Sequence, residues 1–289
     1  MASRRGSRRG LFGLDIASVI VAPLGIAVIV FAQRVSGLSI QSLVHAPAAL
    51  VVFGGTLGAV LISYSPRDIW DACVAAWRAF RVVDDDVDRL ATTLVGMSVR
   101  AHRYGLMSIE ADVEQLGDPF LRHGLTLAVD NGETGVIEEF LAAERSARDA
   151  AEEAPARVFE AAAGYAPTLG ILGAVLGLIR VMQNLGTPAT LGTGIAAAFV
   201  ATAYGVGVAN LVLLPLAGRL RERAAQAARR RELITQGVCA IHKRTNPRLV
   251  AQGLRAHSIE VPRFDEMAGM PVPAKGRRTV SPRLSSVPS

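Results

Sequence analysis

The sequence has few of the residues on which soluble enzymes and nucleic-acid-binding proteins depend. Aromatic residues make up 5% of the 289 positions, charged residues 19%, and there are only two cysteines. Cys73 and Cys239 match neither a CxxC motif nor a metal-ligand spacing. The sequence contains no phosphate-binding loop and no serine or cysteine nucleophile motif. We therefore expect no enzymatic activity, no catalytic residues, no cofactor and no metal site.

Long apolar runs dominate the sequence instead. Hydrophobic residues make up 51% of the chain, and the mean hydropathy is +0.34, which is more apolar than is usual for soluble proteins. The runs are close to the ~20 residues that cross a bilayer as a helix, and a helix satisfies its own backbone hydrogen bonds in lipid. The pattern predicts four transmembrane helices, at 11–33, 46–64, 161–183 and 191–215.

The basic residues predict how these helices are oriented. Four arginines lie in residues 1–10, ten basic residues in 66–159 and fifteen in 218–289, whereas 34–47 has one and 184–190 has none. Cytoplasmic loops carry the excess of Lys and Arg. We therefore expect an all-α, multi-pass integral membrane protein with both termini in the cytoplasm. The net charge of +6 is explained by this placement and does not indicate nucleic-acid binding.

The segments outside the spans are predicted to be cytoplasmic. Residues 1–10 read as a basic tail; Ser7 to Phe12 also resembles a twin-arginine export signal, but the three further apolar runs favour a basic anchor. Residues 66–159 predict a helical cytoplasmic domain between spans 2 and 3, with apolar residues at helical spacing: Leu90, Leu94, Met97 and Ala101. Residues 218–257 predict a basic helix, and 258–289 a disordered tail.

Small residues and prolines characterise the spans. Gly173 and Gly177 form a GxxxG pair in span 3, and Gly54 and Gly58 form another in span 2; such pairs allow helices to approach closely in lipid. Pro167 and Pro215 lie near the predicted cytoplasmic ends of spans 3 and 4, where a proline permits bending.

No carboxylate lies deep in any span, and the only deep charge is Arg180, toward the outer end of span 3. A pathway for ions therefore needs a carboxylate from a partner protein, while the hydroxyls of Thr202 and Tyr204 line the route.

Several stretches of the sequence resemble the MotA/PomA family of flagellar stator subunits. The resemblance is strongest in the spans, and weaker at Asp15 to Ser18, which is similar to the usual start of that family. It covers roughly residues 14–257, and its motifs are GYAPTLGILGAVLGL at 164–178, ATAYG at 201–205, LPLA at 214–217 and GGT at 54–56.

The resemblance implies a function that none of the patterns establishes alone. It implies a five-subunit ring in the bacterial inner membrane around two copies of MotB, a single-span protein anchored to peptidoglycan that carries the ion-binding aspartate. Ion flow would drive the ring against the rotor protein FliG. Pro167 and Pro215 match two family prolines tied to coupling, and Thr202 matches a hydroxyl near the ion path.

The rotor-facing charges of the family match this chain only in part. The family has a basic residue, usually arginine, eight positions before a glutamate. Glu110 matches that glutamate, but His102 occupies the position of the arginine, with Arg103 beside it. Either Arg103 substitutes for the missing arginine, or the contact with the rotor is weaker.

The ion predicted from the resemblance is the proton. Sodium-type relatives have threonines in span 3 and a threonine pair in span 4, where this chain has Ala174, Ala201 and Thr202, and they have an acidic residue near His45. A sodium site needs several oxygen ligands to replace water, whereas a proton needs a carboxylate and a hydrogen-bonded path. A single hydroxyl favours proton conduction.

Two alternatives remain open at the level of sequence. ExbB/TolQ energy-transducing proton channel subunits have a similar third-span motif, although they usually have three spans and an outer N-terminus. A non-conducting membrane scaffold would use the glycines for packing alone. A neighbouring gene for a single-span protein with an aspartate and a peptidoglycan-binding domain would discriminate between these possibilities and a stator.

The predicted topology can be tested by thiol labelling in intact cells. Cysteines introduced at Ser39 and Thr187 are expected to react with an impermeant thiol reagent, because both positions lie in the two arginine-poor connections. A cysteine at Asp112 is expected to stay unlabelled. Labelling at Asp112 from outside would contradict the four-span arrangement.

Overall fold

The computed structural model describes residues 31, 44–80, 87–130, 133–183 and 188–255, and all regular elements in these ranges are helical. Seven helices of 11 to 50 residues carry most of the described chain, and shorter helices and turns connect them. The principal elements are α1 (Ala46–Ser63), α2 (Pro66–Ala79), α3 (Val87–Tyr104), α4 (Glu110–Val113), α5 (Pro119–Val129), α6 (Thr134–Gln183), α7 (Pro188–Val208), α8 (Leu214–His242) and α9 (Pro247–Arg255).

Three of the described helical stretches are long and apolar enough to cross a membrane. They are Ala46–Ser63, Thr134–Gln183 and Gly194–His242, and they contain the predicted second, third and fourth spans. The all-helical membrane class is therefore confirmed. The predicted first span at 11–33 lies outside the described residues except for Phe31, as do the tails at 1–10 and 258–289, so the four-span topology stays a prediction.

The break between α1 and α2 is set by a capping box. Tyr64 leaves α1 in an extended conformation, and the Ser65 hydroxyl accepts a hydrogen bond from the Asp68 backbone N–H at 3.2 Å. The Asp68 carboxylate accepts one in return from the Ser65 backbone N–H, also at 3.2 Å. This reciprocal pair satisfies two donors at the start of a helix, and Pro66 at the first helical position is favourable there. A new helix therefore begins immediately beyond the apolar run.

The backbone accommodates the prolines of the long helices in two different ways. α6 continues through Pro155 and Pro167 as one helix of 50 residues. Ahead of Pro215 the chain instead forms a π-helical turn over Ala209–Leu213. A proline ring clashes with the carbonyl four residues earlier in a regular helix, and that residue, Leu211, lies within the π turn. The wider turn relieves the clash, as π-bulges commonly do at functional sites.

The chain forms two compact units, and α6 and α8 contribute residues to both. The first unit comprises residues 1–84 and 148–226. Its core consists of small clusters in which alanines and valines of neighbouring helices meet, for example Val60 of α1 with Ala72 of α2 and with Val158 and Ala162 of α6. Small side chains keep these helices close together, which is how helices associate in lipid.

The second unit comprises residues 85–147 and 227–289 and has a conventional hydrophobic core. The four residues predicted from helical spacing, Leu90, Leu94, Met97 and Ala101, are all at most 5% exposed. They pack in one cluster with large side chains of the other helices, including Ile109, Phe120, Leu125, Leu141, Ile234, Val238 and Ile241. This unit therefore has the kind of core that soluble domains use.

Polar contacts at the edge of the second unit hold its helices together. Asp118 caps α5 by accepting hydrogen bonds from the N–H groups of Phe120 and Leu121 at 2.9 and 3.1 Å, and it also pairs with Arg230 of α8 at 3.0 Å. Lys243 pairs with Glu138 of α6 at 2.6 Å. The hydrogen bond and the negative charge of Glu138 raise the pKa of the Lys243 ammonium, because both favour its protonated form.

Candidate functional site

The crossing of α6 and α7 in the first unit is so close that only glycine fits at its centre. A Cβ atom on Gly205 of α7 would lie 2.5 Å from the backbone oxygen of Ala166 and 3.0 Å from Cα of Gly170. A Cβ on Gly170 would lie 3.0 Å from the backbone oxygen of Ala201. Because the atoms in the way belong to backbone, Gly205 cannot accept a side chain without moving a helix, and at Gly170 the backbone of α7 would have to give by a few tenths of an ångström.

Further glycines continue this crossing along α6. A Cβ on Gly173 would lie 2.9 Å from Cβ of Ala201, and one on Gly177 would lie 3.2 Å from Cβ of Ala198. The close approach expected from this GxxxG pair is therefore present. The pair in α1 behaves differently: Gly58 faces no atom within 4 Å, and Gly54 faces only Leu50 of its own helix, at 3.9 Å. Among the described residues, that pair packs against no other helix.

The predicted ion-path residues lie on and beside this crossing. Ala174 and Thr202 are half-buried, and the Cα of Thr202 lies 3.4 Å from the position of a Cβ on Gly170. The Thr202 hydroxyl donates a long hydrogen bond of 3.4 Å to the carbonyl of Ala198, within its own helix. This weak contact leaves the hydroxyl able to exchange partners.

Tyr204 connects α7 to the start of α1. Its hydroxyl accepts a hydrogen bond of 3.3 Å from the backbone N–H of His45, and its ring lies 5.8 Å from the ring of Phe53. The side chain of His45 in turn caps α1, accepting from the N–H of Ala48 at 3.3 Å. Tyr204 therefore fixes the beginning of the second predicted span against the fourth.

The two predicted coupling prolines occupy different environments. Pro167 is half-buried in α6, next to Ala166, whose carbonyl lies against Gly205. Pro215 is exposed and is the second residue after the π turn over Ala209–Leu213. The structure thus places Pro167 at the tight crossing and Pro215 in the first turn of α8, just beyond the π turn that ends the regular geometry of α7.

Beside the crossing lies a cavity that the sequence did not reveal. It has a volume of about 460 Å³ and is lined by residues of α1, α6 and α7, including His45, Val51, Gly177, Arg180 and Gly194. Among the residues that the structure describes, His45 and Arg180 are the only titratable or charged ones that line it. The glycines that permit the close crossing also leave this space open. The clustering of these glycines in the sequence could have indicated a cavity. Its position could not be predicted, because a sequence does not show which side of a helix remains uncovered.

The predicted rotor-contact residues lie at an exposed corner of the second unit. His102 and Arg103 end α3, and Glu110 begins α4; all three side chains are exposed. Between them Gly105 has φ +85°, a conformation that favours glycine. Its carbonyl accepts a hydrogen bond from the Ser108 hydroxyl at 2.6 Å. This turn brings the two ends of the motif to one corner.

Two features of this corner were not predicted. The imidazole of His102 makes a hydrogen bond of 3.0 Å with the carbonyl of Arg244, so its position is partly fixed, whereas the side chain of Arg103 beside it is simply exposed. The side chains of Tyr104 and Met107 are 73% and 68% exposed. The corner therefore presents apolar as well as charged groups to a partner.

The fold and this geometry define a helical membrane protein whose spans pack through glycine and whose other unit has a soluble-type core. Residues 112–233 match the model of the MotA/TolQ/ExbB proton channel family. The chain is 30% identical to Motility protein A of Bacillus subtilis over 83% of its own length and 90% of the relative's. It is 28% identical to the chemotaxis protein PomA of Vibrio alginolyticus over 84% and 94%.

A solved structure agrees with these sequence matches. The flagellar MotAB stator complex of Bacillus subtilis contains a chain that superposes with a TM-score of 0.74 at 29% identity, covering 88% of this chain and 99% of the other. The chain described here belongs to the MotA/TolQ/ExbB proton channel family. The resemblance identified from the span motifs is thereby confirmed.

The tight crossing leads to a prediction that compares two glycines of one helix. Gly205→Ala is expected to destabilise the membrane unit by roughly 1–3 kcal/mol, because the added methyl group overlaps the Ala166 carbonyl. Gly207→Ala is the matched control, since a Cβ there meets no atom within 4 Å. Thermal unfolding of the purified protein in detergent measures both. Equal melting temperatures for the two variants would contradict the crossing.

Proposed function

We propose that this chain is the channel subunit of a flagellar stator, which conducts protons with a MotB-like partner and converts their flow into torque on the rotor. The observation that carries the proposal is the glycine crossing of α6 and α7, which lies in the same stretch as the family motifs. Support also comes from the curated relatives, which carry motility names and are matched over most of their length.

The partner supplies the group that binds the proton. None of the apolar segments 46–64, 161–183 and 191–215 contains Asp or Glu, and a protonatable carrier inside a membrane is normally such a residue. The solved relative is a complex of two kinds of subunit. In this proposal the partner's carboxylate lies beside α6 and α7, where Thr202 offers a hydroxyl and Ala174 leaves room.

The proposed arrangement in the membrane follows the basic residues. The chain crosses the bacterial inner membrane four times with both termini inside, and five copies surround two copies of the partner. A ring of this kind requires each subunit to present the same surface to its neighbours, and the small side chains of the first unit suit close contacts of that type.

Coupling is proposed to operate through the packing of α6 against α7. Neutralising a carboxylate beside this crossing changes the local electrostatics, and a packed interface responds by moving between discrete arrangements. Pro167 lies at the crossing and Pro215 follows the π turn, so α6 and the junction between α7 and α8 each have a point where bending costs little backbone hydrogen bonding. Because α6 and α8 also contribute residues to the second unit, a change in their course affects that unit directly.

The corner formed by His102, Arg103 and Glu110 is proposed as the contact with the rotor protein FliG. Its exposed charges of both signs suit a contact that forms and breaks repeatedly, since exposed complementary charges guide association more than they add affinity. In this proposal Arg103 takes the role of the family's arginine, because the imidazole of His102 is occupied by the Arg244 carbonyl.

An energy-transducing subunit of the ExbB/TolQ type is the second candidate, since the same family model describes both groups. The curated relatives reported above favour the stator, as does the predicted first span, which gives a cytoplasmic N-terminus. A non-conducting scaffold would also contain tight glycine crossings. Conduction therefore has to be tested directly.

The rotor contact can be tested by reversing one charge. Glu110→Lys is expected to reduce swimming strongly without lowering the amount of protein in the membrane, because Glu110 is exposed. A reversed charge on the rotor partner is expected to restore part of the speed. Glu139→Lys, the same change at another exposed position of the second unit, is the control. Normal swimming by both Glu110→Lys and Arg103→Glu would contradict this contact.

The conducted ion can be tested by varying the two gradients separately. Swimming speed is expected to be insensitive to external sodium at constant ionic strength, because Ala174 and Ala201 provide no oxygen ligands that would replace sodium's hydration water. Speed is expected to fall when a protonophore collapses the proton gradient, and to be unaffected by amiloride-type blockers. A steep rise of speed with sodium would overturn the assignment.

A further inference from the structure

Helix α2 presents two kinds of apolar surface, and only one of them is covered by the protein. The covered surface consists of alanines: Ala72 lies in a cluster with Val158 and Ala162 of α6, and Ala79 lies in one with Ala156 and Leu220. The other surface carries Trp70 and Trp77, whose side chains are 71% and 74% exposed. Exposed tryptophans in one unbroken stripe need an explanation.

The two tryptophans form a stripe with the residues between them. Trp70, Cys73, Val74 and Trp77 follow the spacing of one helical face and, at 3.6 residues per turn, fall within about 100° of one another. They also line a shallow depression. Such a width is typical of the apolar face of an amphipathic helix.

The orientation of α2 is fixed by the helices on its alanine side. At its C-terminal end Arg219 of α8 donates a hydrogen bond of 2.7 Å to the carbonyl of Ala79, and Arg223 donates one of 3.0 Å to the carbonyl of Arg78. The capping box of Ser65 and Asp68 holds the other end. With both ends held and the alanines packed inward, the tryptophan stripe is constrained to face away from the unit.

A charged strip runs along the remaining side of the helix. Arg67, Asp71 and Arg78 are exposed, and with Asp68 they occupy the sector between the tryptophans and the alanines on one side only. On the other side Ile69 and Ala76 join the two apolar surfaces without an intervening charge. A helix with one continuous apolar sector and one polar strip suits a boundary between protein, lipid and water.

We propose that the stripe of Trp70, Cys73, Val74 and Trp77 binds phospholipid at the level where headgroups meet acyl chains. α2 begins three residues after the apolar helix Ala46–Ser63 ends, which places it at the depth of the membrane surface. Tryptophan is enriched at this depth because its ring is apolar and its N–H remains polar. The leaflet is the cytoplasmic one if the topology of the proposed function holds; the lipid contact itself does not depend on it.

The protein contains its own probe for this contact. Trp70 and Trp77 are the only two tryptophans in the chain, so its tryptophan fluorescence reports on this stripe alone. The full chain, purified with its partner subunit, is reconstituted into phosphatidylcholine vesicles whose acyl chains are brominated near the headgroup. The same complex is prepared with a Trp70→Phe, Trp77→Phe double variant of this chain. Its emission comes from the partner and is subtracted from the emission of the native complex.

Lipid binding predicts that brominated acyl chains quench most of the emission, whereas iodide present on both sides of the membrane quenches little of it. Asp71→Trp in the double-phenylalanine background is the matched control, because position 71 lies on the charged strip of the same helix; its emission is expected to respond to iodide and not to bromine.

Quenching of the native tryptophans by iodide alone would show that they face water. Protection from both quenchers would show that a second copy of the chain or the partner covers them. Either result overturns the proposal, and neither depends on motility or ion flow.

Discussion

The first unit depends on one contact above all, the close approach of the backbone at Gly205 to the carbonyl of Ala166. Gly170 from α6 occupies the space beside it; the position of Gly205 excludes even a methyl group, and a methyl group at Gly170 would lie very close to the backbone of α7. In lipid, helices gain little from burying apolar surface, so shape and close approach decide which pairs associate. The further contacts of α6 with Ala198 and Ala201 extend this approach along the same face.

Several features predicted from the sequence followed from local rules. The second to fourth spans could be predicted from the apolar runs, because the hydropathy of a segment depends only on its composition and can be calculated from the sequence. Leu94 and Met97 were predicted to be buried because a helix repeats its inner face at fixed spacing. The capping of α5 by Asp118 was not predicted, although a short-range signal for it was present: a residue able to accept hydrogen bonds directly before a proline.

The features that were missed depend on continuity and on which surfaces are left uncovered. α6 runs from Thr134 to Gln183 without a break at Glu160, where the sequence changes from polar to apolar. A change of polarity marks a change in the surroundings of a helix, and it does not by itself end the helix. The outward stripe of Trp70 and Trp77 could not be recognised either, because only the packing of Ala72 and Ala79 shows which face of α2 is already occupied.

The distribution of charge then constrains how such a chain can respond to an ion. Its apolar segments 46–64, 161–183 and 191–215 hold no acid, so a proton bound on a partner's carboxylate cannot be passed to a carboxylate of this chain within them. Its effect has to reach the chain as altered packing or altered hydrogen bonding. The α6–α7 crossing combines backbone contacts without slack, the weakly bonded Thr202 hydroxyl and a nearby proline. Because close-packed contacts shift as units, the proposed coupling works through movement of a helix and not through rearrangement of side chains at Thr202.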